Sequence, residues 1–274
     1  MGYIQSVLLG LVQGLTEFLP VSSSGHLAIF KRILGAEALT ASLTMDILLH
    51  VGTLVAVFLM YYRDIWALVR EFFCMIWDLL RGKPDFRSPY RRFVILVIIG
   101  SVPAGLVGIL LKDVIAELPL LCVGLALLVT AVLLWLSDKM PKGKKNMETA
   151  SYPSSLLVGL FQAVAILPGI SRSGSTIVGA CAAGYKREFA VKFSFILSIP
   201  AILGAALLDS IDVIKSGALG FEIGPALAGM AVAAISGFLA IRWLLKLVQQ
   251  SRFHYFSYYC LGAGILAIIL HFGG

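Results

Sequence analysis

Apolar residues form long runs along this chain, and short polar segments separate one run from the next. A helix needs about 20 mostly apolar residues to cross a membrane. Six runs approach that length and are predicted as transmembrane helices: 42–62, 91–111, 119–137, 188–208, 225–247 and 254–272. Two further runs, 2–19 and 154–170, lead directly into polar sequence, and shorter apolar runs follow them at 27–35 and 177–184. The pattern therefore separates six full crossings from two interrupted ones.

The interrupted runs break at residues that end helices. Pro20 follows the first run, and the Pro168-Gly169 pair ends the second. Proline lacks the amide hydrogen that a helix needs, and its ring clashes with the preceding turn. Such non-helical backbone is tolerated at membrane depth only inside protein or beside a water-filled cavity. We therefore predict two re-entrant helical hairpins in an all-α polytopic membrane protein with six transmembrane helices.

Two segments are predicted to lie at the membrane interface. Segment 64–80 carries charged residues at helical spacing, which is typical of an amphipathic interfacial helix. These residues are Arg70, Glu71 and Asp78. Segment 253–259, which contains His254 and Tyr259, is rich in aromatic residues and resembles an interfacial aromatic belt.

The composition indicates a membrane-embedded chain. Hydrophobic residues make up 59% and charged residues 14% of the 274 positions, whereas a soluble domain is about 25% charged. The long runs favour helices, since the strands of a β-barrel alternate and give a weaker signal. Basic residues are spread over several loops and form no single stripe, so nucleic acid is not an expected partner. The first basic residue is Lys31, which argues against an N-terminal signal peptide.

Lysine and arginine are concentrated in the loops on one side of the predicted crossings. The connections 63–92 and 138–153 carry most of them. The opposite loops carry Lys31, Arg32, Lys112 and Lys215. Because positively charged loops stay in the cytoplasm, both termini are predicted to face outward.

An internal repeat relates the two interrupted runs. A shift of 149 positions aligns Gly10, Gln13, Ser22, Ser24 and Gly25 with Gly159, Gln162, Ser171, Ser173 and Gly174. Three crossings, an odd number, lie between the copies, so the copies have opposite orientations. Inverted repeats with broken helices place a binding site near the membrane midplane, where the copies meet. We predict a single membrane domain over 1–274, with inverted repeats at about 1–137 and 150–274.

The second break has the composition of an anion-binding turn. Its residues include Ser171, Arg172, Ser173, Gly174, Ser175 and Thr176. A helix N-terminus directs amide hydrogens and a positive dipole at an anion, and a guanidinium matches two phosphate oxygens at once. The alternative is a helix-packing turn with Arg172 extended toward the surface. An ionisable residue between long apolar runs favours the anion site.

The first break supplies groups for catalysis. Glu17 and His26 can act together in acid–base chemistry, or the carboxylate can orient the imidazole. The hydroxyls of Ser22, Ser23 and Ser24 are candidate nucleophiles or phosphate ligands. Glu17 can also hold a divalent cation whose other ligands come from a phosphate. In a purely structural alternative, Glu17 and His26 pair only with each other.

Four polar residues elsewhere are candidates for supporting roles. Gln13 and its repeat equivalent Gln162 are expected to cap or bridge the hairpins. Asp46 and His50 lie four residues apart, on one face of the first crossing. They are expected either to line the cavity or to join neighbouring helices by hydrogen bonds.

The two polar motifs resemble those of a known family. Gln13-x-x-x-Glu17 continuing to Pro20-Val-Ser-Ser-Ser-Gly-His26, with Pro168-Gly-Ile-Ser-Arg-Ser-Gly-Ser-Thr176, is similar to bacterial undecaprenyl-diphosphate phosphatases of the bacitracin-resistance type. The resemblance covers the chain in length, number of crossings and motif placement. It implies hydrolysis of the lipid carrier's diphosphate to the monophosphate in the bacterial cytoplasmic membrane, which recycles the carrier for cell-wall synthesis.

The resemblance also implies roles for single residues. Catalytic roles fall to Glu17, Ser23, His26 and Arg172. Phosphate-binding roles fall to Ser22, Ser24, Ser171, Ser173, Gly174 and Thr176. The implied cofactor is a divalent cation, Mg²⁺ or Ca²⁺, with Glu17 as a ligand. Some family members carry a second Glu where this chain has Gln13, so this protein would offer the metal one carboxylate fewer.

Together these observations give a specific hypothesis. The protein is predicted to bind a lipid diphosphate in a cavity open to the outer side of the membrane, where Ser23 or His26 attacks the terminal phosphorus. The alternative is a transporter or flippase of polyisoprenyl phosphate, because inverted repeats with broken helices are common in transporters. Such a carrier needs Arg172 but has no need of Glu17 or His26. A structural scaffold leaves both motifs unexplained. A second copy of the chain is a further candidate partner, in a homodimer.

Overall fold

The protein folds as a bundle of helices. The computed structural model describes residues 2–34, 43–83, 85, 87–216, 222–250 and 252–273, and these ranges contain helices and no strand. The helices are α1 (Tyr3–Phe18), α2 (Ser23–Leu34), α3 (Leu43–Leu80), α4 (Pro89–Ala116), α5 (Leu120–Lys139), α6 (Tyr152–Val164), α7 (Arg172–Ala182), α8 (Arg187–Ser216), α9 (Ile223–Gln249) and α10 (His254–Phe272). Residues 35 and 42, at the ends of two predicted runs, lie outside the described ranges.

Six of the described helices are long and apolar enough to cross a membrane: α3, α4, α5, α8, α9 and α10. They coincide with the six predicted crossings and confirm the predicted fold class. Large apolar side chains cover their outer faces, and Ile109, Leu110 and Phe272 are each at least 70% exposed. Because a contiguous apolar surface of this kind is unfavourable in water, lipid covers it.

Each interrupted run forms two helices with a break between them, as predicted. Residues 19–22 separate α1 from α2, and residues 165–171 separate α6 from α7. The second helix of each pair begins several residues earlier than predicted, at Ser23 and at Arg172. The polar motif residues therefore form the first helical turn, where a serine side chain can satisfy a free amide.

The predicted amphipathic helix at 64–80 is present, and its position at the membrane interface stays a prediction. This segment forms the second part of α3, after a kink at Tyr61, whose φ of −121° and ψ of 27° are not helical. It contains no proline or glycine that would end a helix. Its acidic residues pair with neighbouring helices: Asp64 with Lys192 at 2.6 Å, Glu71 with Arg91 at 2.8 Å, and Asp78 with Arg91 at 2.7 Å. Charge at helical spacing thus marks contacts between helices here.

Small residues allow the short and long helices to approach closely. α1 packs along α9, where Gly10 faces Gly229, and α6 packs along α4, where Gly159 faces Gly100. Each of these short helices therefore packs against a long helix from the other half of the chain. Along the chain, two short helices are followed by three long helices, and this order occurs twice, which agrees with a repeat. The repeat boundaries stay a prediction.

A methyl group at Gly159 should force α6 away from α4. A Cβ atom there would lie 3.0 Å from both the Cα and the carbonyl carbon of Gly100. We expect Gly159→Ala to destabilise the protein by about 1–3 kcal/mol, which lowers the thermal unfolding midpoint in detergent by roughly 2–12 °C. Gly105→Ala is the matched control on α4, because a Cβ there meets nothing within 4 Å and alanine favours a helix. Equal losses in both variants would contradict the close contact.

Candidate active site

The two breaks share one hydrogen-bonding arrangement. Ser22 Oγ accepts the amide hydrogen of Gly25, with 3.2 Å between oxygen and nitrogen. At the positions 149 residues later, Ser171 Oγ accepts the amide hydrogen of Gly174 at 3.1 Å. Such a cap satisfies an amide that the start of a helix leaves free. Both α2 and α7 begin with it, so the Gly174 amide that was expected to hold phosphate is already bonded.

Glu17 connects the two breaks. Its Oε1 forms an ion pair with Arg172 Nη2, and its Oε2 accepts hydrogen bonds from Ser23 Oγ and Gln13 Nε2, each at 3.0 Å. The Glu17 side chain is 6% exposed, so water screens these interactions little. Three of the four residues predicted as catalytic therefore meet at one point.

The two glutamines that match in the repeat behave differently. Gln13 bonds to Glu17, four residues further along its own helix. Gln162 is buried, and neither its amide nitrogen nor its oxygen has a hydrogen-bond partner in the described part of the chain. The position four residues after Gln162 is Ile166, which cannot accept a hydrogen bond. The prediction that the glutamines cap or bridge the hairpins is therefore wrong for Gln162, whereas Gln13 supports the carboxylate that joins the two breaks.

Arg172 keeps a donor that the ion pair does not use. Its Nη1 is buried and has no partner among the described residues, and a buried donor costs free energy unless an acceptor reaches it. A narrow pocket adjoins the pair, without free room for a water molecule in this conformation, and it is lined by Glu17, Phe18, Arg172, Ser173, Ser194, Phe195 and Ser198. An anion there would meet the guanidinium, serine hydroxyls and the positive N-terminus of α7.

The hydroxyls predicted to bind phosphate do not all face this pocket. Ser173 lines it. Ser24 is exposed, and the two capping serines are bonded to their own helices. Thr176 is fully buried and donates to the Arg172 carbonyl oxygen at 2.8 Å, so its hydrogen is used within α7. Ser173 is therefore the member of this group that lines the pocket, and its hydroxyl, which donates to the Leu19 carbonyl oxygen at 3.2 Å, would have to exchange that partner for an anion.

His26 does not pair with Glu17, and in the described structure no hydrogen bond or ion pair joins them. Its Nδ1 lies 2.7 Å from the Ser22 carbonyl oxygen, and its Nε2 lies 2.6 Å from the Tyr259 hydroxyl of α10. Ser22 has a φ of 70°, in the left-handed region that residues with side chains rarely adopt. Its carbonyl also accepts the His26 amide hydrogen at 3.2 Å. Two of the alternatives are therefore wrong: the carboxylate does not orient the imidazole, and the two side chains do not pair with each other.

Asp46 and His50 lie on one face of α3, as predicted. His50 Nδ1 is 2.8 Å from the Asp46 carbonyl oxygen, which is a contact within the helix. His50 is half-buried and lies within electrostatic range of Glu17. The structure thus places a second basic group near the carboxylate, while a supporting role for Asp46 stays a prediction.

Residues of distant helices complete the surroundings of the two breaks. Ser194 and Ser198 of α8 line the pocket, and Tyr259 contacts His26. The sequence marks the two serines only weakly, as hydroxyls one turn apart in an apolar helix, and it places Tyr259 in an interfacial belt. His254, expected at the same interface, lies 2.8 Å from Asp138 of α5 through its Nδ1.

Thr130 of α5 holds the second break. Its hydroxyl accepts the Ser171 amide hydrogen and donates to the Gly169 carbonyl oxygen, both at 3.1 Å, and the residue is 1% exposed. Gly169 has a φ of 96°, a conformation that glycine adopts without strain. One buried hydroxyl therefore fixes both sides of the turn that leads into α7.

Thr130→Val should loosen this turn, because it keeps the shape of the side chain but removes the hydroxyl. One buried amide and one buried carbonyl would then lack partners, at about 1–3 kcal/mol for each group. We expect a clear fall in the thermal unfolding midpoint in detergent, and a smaller fall for Thr130→Ser. Thr53→Val is the matched control, since the Thr53 hydroxyl bonds a carbonyl of its own helix. Equal midpoints for the two Thr130 variants would contradict this role.

Comparison with known proteins places the chain in a family. The family described as "Bacitracin resistance protein BacA" matches residues 6–266. The undecaprenyl-diphosphatase of Alkaliphilus metalliredigens is 44% identical over 268 residues, which are 97% of this chain and 97% of that protein. The undecaprenyl-diphosphatase of Methanosphaera stadtmanae is 42% identical over 274 residues, or 97% of each chain. Undecaprenyl-diphosphatase 3 of Bacillus cereus is 37% identical over 274 residues, 99% of this chain and 98% of that protein.

These similarities cover the site as well as the scaffold. The matched residues 6–266 contain both breaks, with Glu17 in one and Arg172 in the other, and at least part of every described helix. The chain belongs to the bacitracin resistance protein BacA family.

Proposed function

We propose that this protein is an undecaprenyl-diphosphatase, which hydrolyses undecaprenyl diphosphate to undecaprenyl phosphate and inorganic phosphate and so returns the lipid carrier to cell-wall synthesis. The family and the names of the relatives support this function. The observation that carries the proposal is the contact of Ser23, Glu17 and Arg172 where the two breaks meet. This contact combines a nucleophile, a base and a phosphate-binding cation.

Substrate binding is proposed to begin at Arg172. The side chains that line the pocket would have to move apart to admit a diphosphate. The bound diphosphate would give Nη1 the acceptor that it lacks, and it would compete with Glu17 for Nη2. A guanidinium binds two phosphate oxygens at once, and the Ser173 hydroxyl lies in the same pocket. Binding therefore exchanges one anionic partner of Arg172 for another and releases the Glu17 carboxylate.

The released carboxylate is proposed as the base for Ser23. Its Oε2 already accepts the Ser23 hydroxyl hydrogen at 3.0 Å, a distance suited to general-base catalysis. Glu17 takes this proton as the bond from Ser23 Oγ to phosphorus forms and the bridging bond to undecaprenyl phosphate breaks, while Arg172 stabilises the charge. Water then cleaves the bond from Oγ to phosphorus. Ser23 recovers the proton from Glu17, and inorganic phosphate leaves.

The geometry favours Ser23 over His26 as the nucleophile. Both ring nitrogens of His26 are engaged, one with the Ser22 carbonyl and one with the Tyr259 hydroxyl. A nitrogen in either position has no lone pair directed at a bound phosphorus. We therefore assign direct attack to Ser23 and a supporting role to His26.

A divalent cation, Mg²⁺ or Ca²⁺, stays a prediction. Among the described residues there is no group of three His, Cys, Asp or Glu side chains that could hold a metal ion. Both oxygens of Glu17 are engaged, one by the positive guanidinium of Arg172, which would oppose a second cation. The side chains alone therefore do not fit such an ion, and no step above depends on one. A cation would arrive with the diphosphate, whose oxygens suit Mg²⁺.

The membrane in which the protein lies, the side to which its pocket opens and its oligomeric state are also proposals. The distribution of lysine and arginine supports a cytoplasmic membrane protein whose pocket opens to the outer side. A homodimer stays a prediction. A carrier of polyisoprenyl phosphate would need Arg172, but it would not need a serine hydroxyl bonded to a carboxylate. The contact between Ser23 and Glu17 therefore favours hydrolysis over transport.

Phosphate release from undecaprenyl diphosphate by the purified protein in detergent tests the proposal. Wild type should form inorganic phosphate and undecaprenyl phosphate, and Ser23→Ala should abolish this turnover. Ser101→Ala is the control, because its hydroxyl bonds the Val97 carbonyl within α4. Further assays add a chelator, and then Mg²⁺ or Ca²⁺ in excess of it. Loss of turnover with the chelator and recovery with the added ion would show that a cation takes part in the reaction. A folded wild type without turnover would overturn the proposal.

A further inference from the structure

The His26 ring is held at both of its nitrogens. Nδ1 lies 2.7 Å from the Ser22 carbonyl oxygen, and Nε2 lies 2.6 Å from the Tyr259 hydroxyl oxygen, both hydrogen-bond distances. His26 is 6% exposed. The rings of His26 and Tyr259 are almost parallel, with an interplanar angle of 4°. The imidazole therefore has little freedom to turn.

The two partners determine where the imidazole carries its proton. A carbonyl oxygen can only accept a hydrogen bond, so Nδ1 must carry a hydrogen. In the neutral ring Nε2 is then an acceptor, and the Tyr259 hydroxyl donates to it. The other tautomer would set two acceptors, Nδ1 and the Ser22 carbonyl, 2.7 Å apart. The Ser22 carbonyl therefore selects the tautomer, and the phenol, by donating to Nε2, holds the orientation of the ring.

Contacts on both sides of Tyr259 fix the phenol in this position. The next residue, Cys260, is buried, and its Sγ donates to the Pro20 carbonyl oxygen of the first break at 3.5 Å. Two residues before Tyr259, Ser257 donates to the Ala131 carbonyl oxygen of α5 at 2.7 Å. α10 is thus bonded to the break and to α5 at the level of the imidazole.

From this geometry we infer that Tyr259 is a positioning residue for the first break, acting through His26. The contacts run from the phenol to His26 and from His26 to the carbonyl of Ser22. Ser22 is the left-handed residue that caps α2 and directly precedes Ser23. Tyr259 therefore supports, from α10, the turn that presents the proposed nucleophile. Its effect on turnover rests on the proposed function, whereas its effect on the imidazole does not.

Tyr259→Phe tests the inference, because it removes the hydroxyl and keeps the ring. Tyr258→Phe is the matched control, since Tyr258 is similarly exposed and its ring faces His254. The first readout is the ¹⁵N NMR spectrum of histidine-labelled protein in detergent, with the His26 signals assigned through His26→Gln. Wild type and the control should show a protonated Nδ1 and a hydrogen-bonded, unprotonated Nε2. In Tyr259→Phe the Nε2 signal should shift to that of a nitrogen without a donor.

Turnover is the second readout. Displacing a reacting group by a fraction of an ångström to an ångström costs up to about 100-fold, so kcat of Tyr259→Phe should fall about 10- to 100-fold. KM should change little, because the Arg172 pocket is unaltered. An unchanged His26 spectrum in Tyr259→Phe would overturn the contact, and a shifted spectrum with wild-type kcat would overturn its role in the reaction. A wild type with the expected spectrum but no turnover would overturn the proposed function while upholding the contact.

Discussion

Glu17→Gln should lower kcat for phosphate release by about 10²- to 10⁴-fold, the usual contribution of a general base. The carboxamide has nearly the shape of the carboxylate and can still bond the Ser23 hydroxyl, but it cannot take the proton. The substitution also removes the negative charge that occupies Arg172 Nη2. A diphosphate then meets the guanidinium without a competitor. We therefore expect KM to stay the same or to fall, as measured by steady-state phosphate release.

Two measurements separate this role of Glu17 from a loss of folding or of binding. Glu148→Gln, in an exposed loop, is the matched control and should keep the wild-type kcat and KM. Inorganic phosphate should inhibit Glu17→Gln at least as strongly as it inhibits the wild type. A higher KM with an unchanged kcat would assign Glu17 to substrate binding and contradict its role as the base.

The scaffold could be predicted because its signals are local. The length of an apolar run decides whether a helix can cross the membrane, and prolines such as Pro20 and Pro168 act on the turn in which they lie. The repeat then indicates that the breaks meet, which explains why Glu17 and Arg172 are partners although 155 positions separate them. Local patterns and one symmetry argument were thus sufficient for the helices and for the centre of the site.

The surroundings of that centre could not be predicted, because they depend on contacts between distant helices. The sequence places Glu17 and His26 nine positions apart, yet the left-handed Ser22 lies between them and its carbonyl holds the imidazole. No local pattern predicts this conformation for a serine. Tyr259 likewise lies in a segment with the composition of an interfacial belt, and only the packing of α10 brings its hydroxyl to His26.

Arg172→Lys should lower kcat/KM by about 10²- to 10³-fold, the loss found when one donor to a transition-state oxyanion is removed. Lysine keeps the positive charge, so the buried Glu17 carboxylate retains a partner and the fold is preserved. Alanine would leave that carboxylate buried without a partner, which would lower the free energy of unfolding by about 3–5 kcal/mol. An ammonium is a point charge, however, and cannot hold Glu17 and two phosphate oxygens with separate nitrogens as the guanidinium can. We expect a higher KM together with a lower kcat.

The control for Arg172→Lys is a largely buried arginine outside the site. Arg187→Lys qualifies, because the Arg187 guanidinium donates to the Ser137 carbonyl oxygen at 3.2 Å and its side chain is 11% exposed. It should retain wild-type kcat/KM. Because Glu17 and Arg172 act on the same phosphorus, the double variant Glu17→Gln/Arg172→Lys should lose less activity than the product of the two single losses. Fully multiplicative losses would show that the two residues act independently, and the exchange of partners at Arg172 would then be wrong.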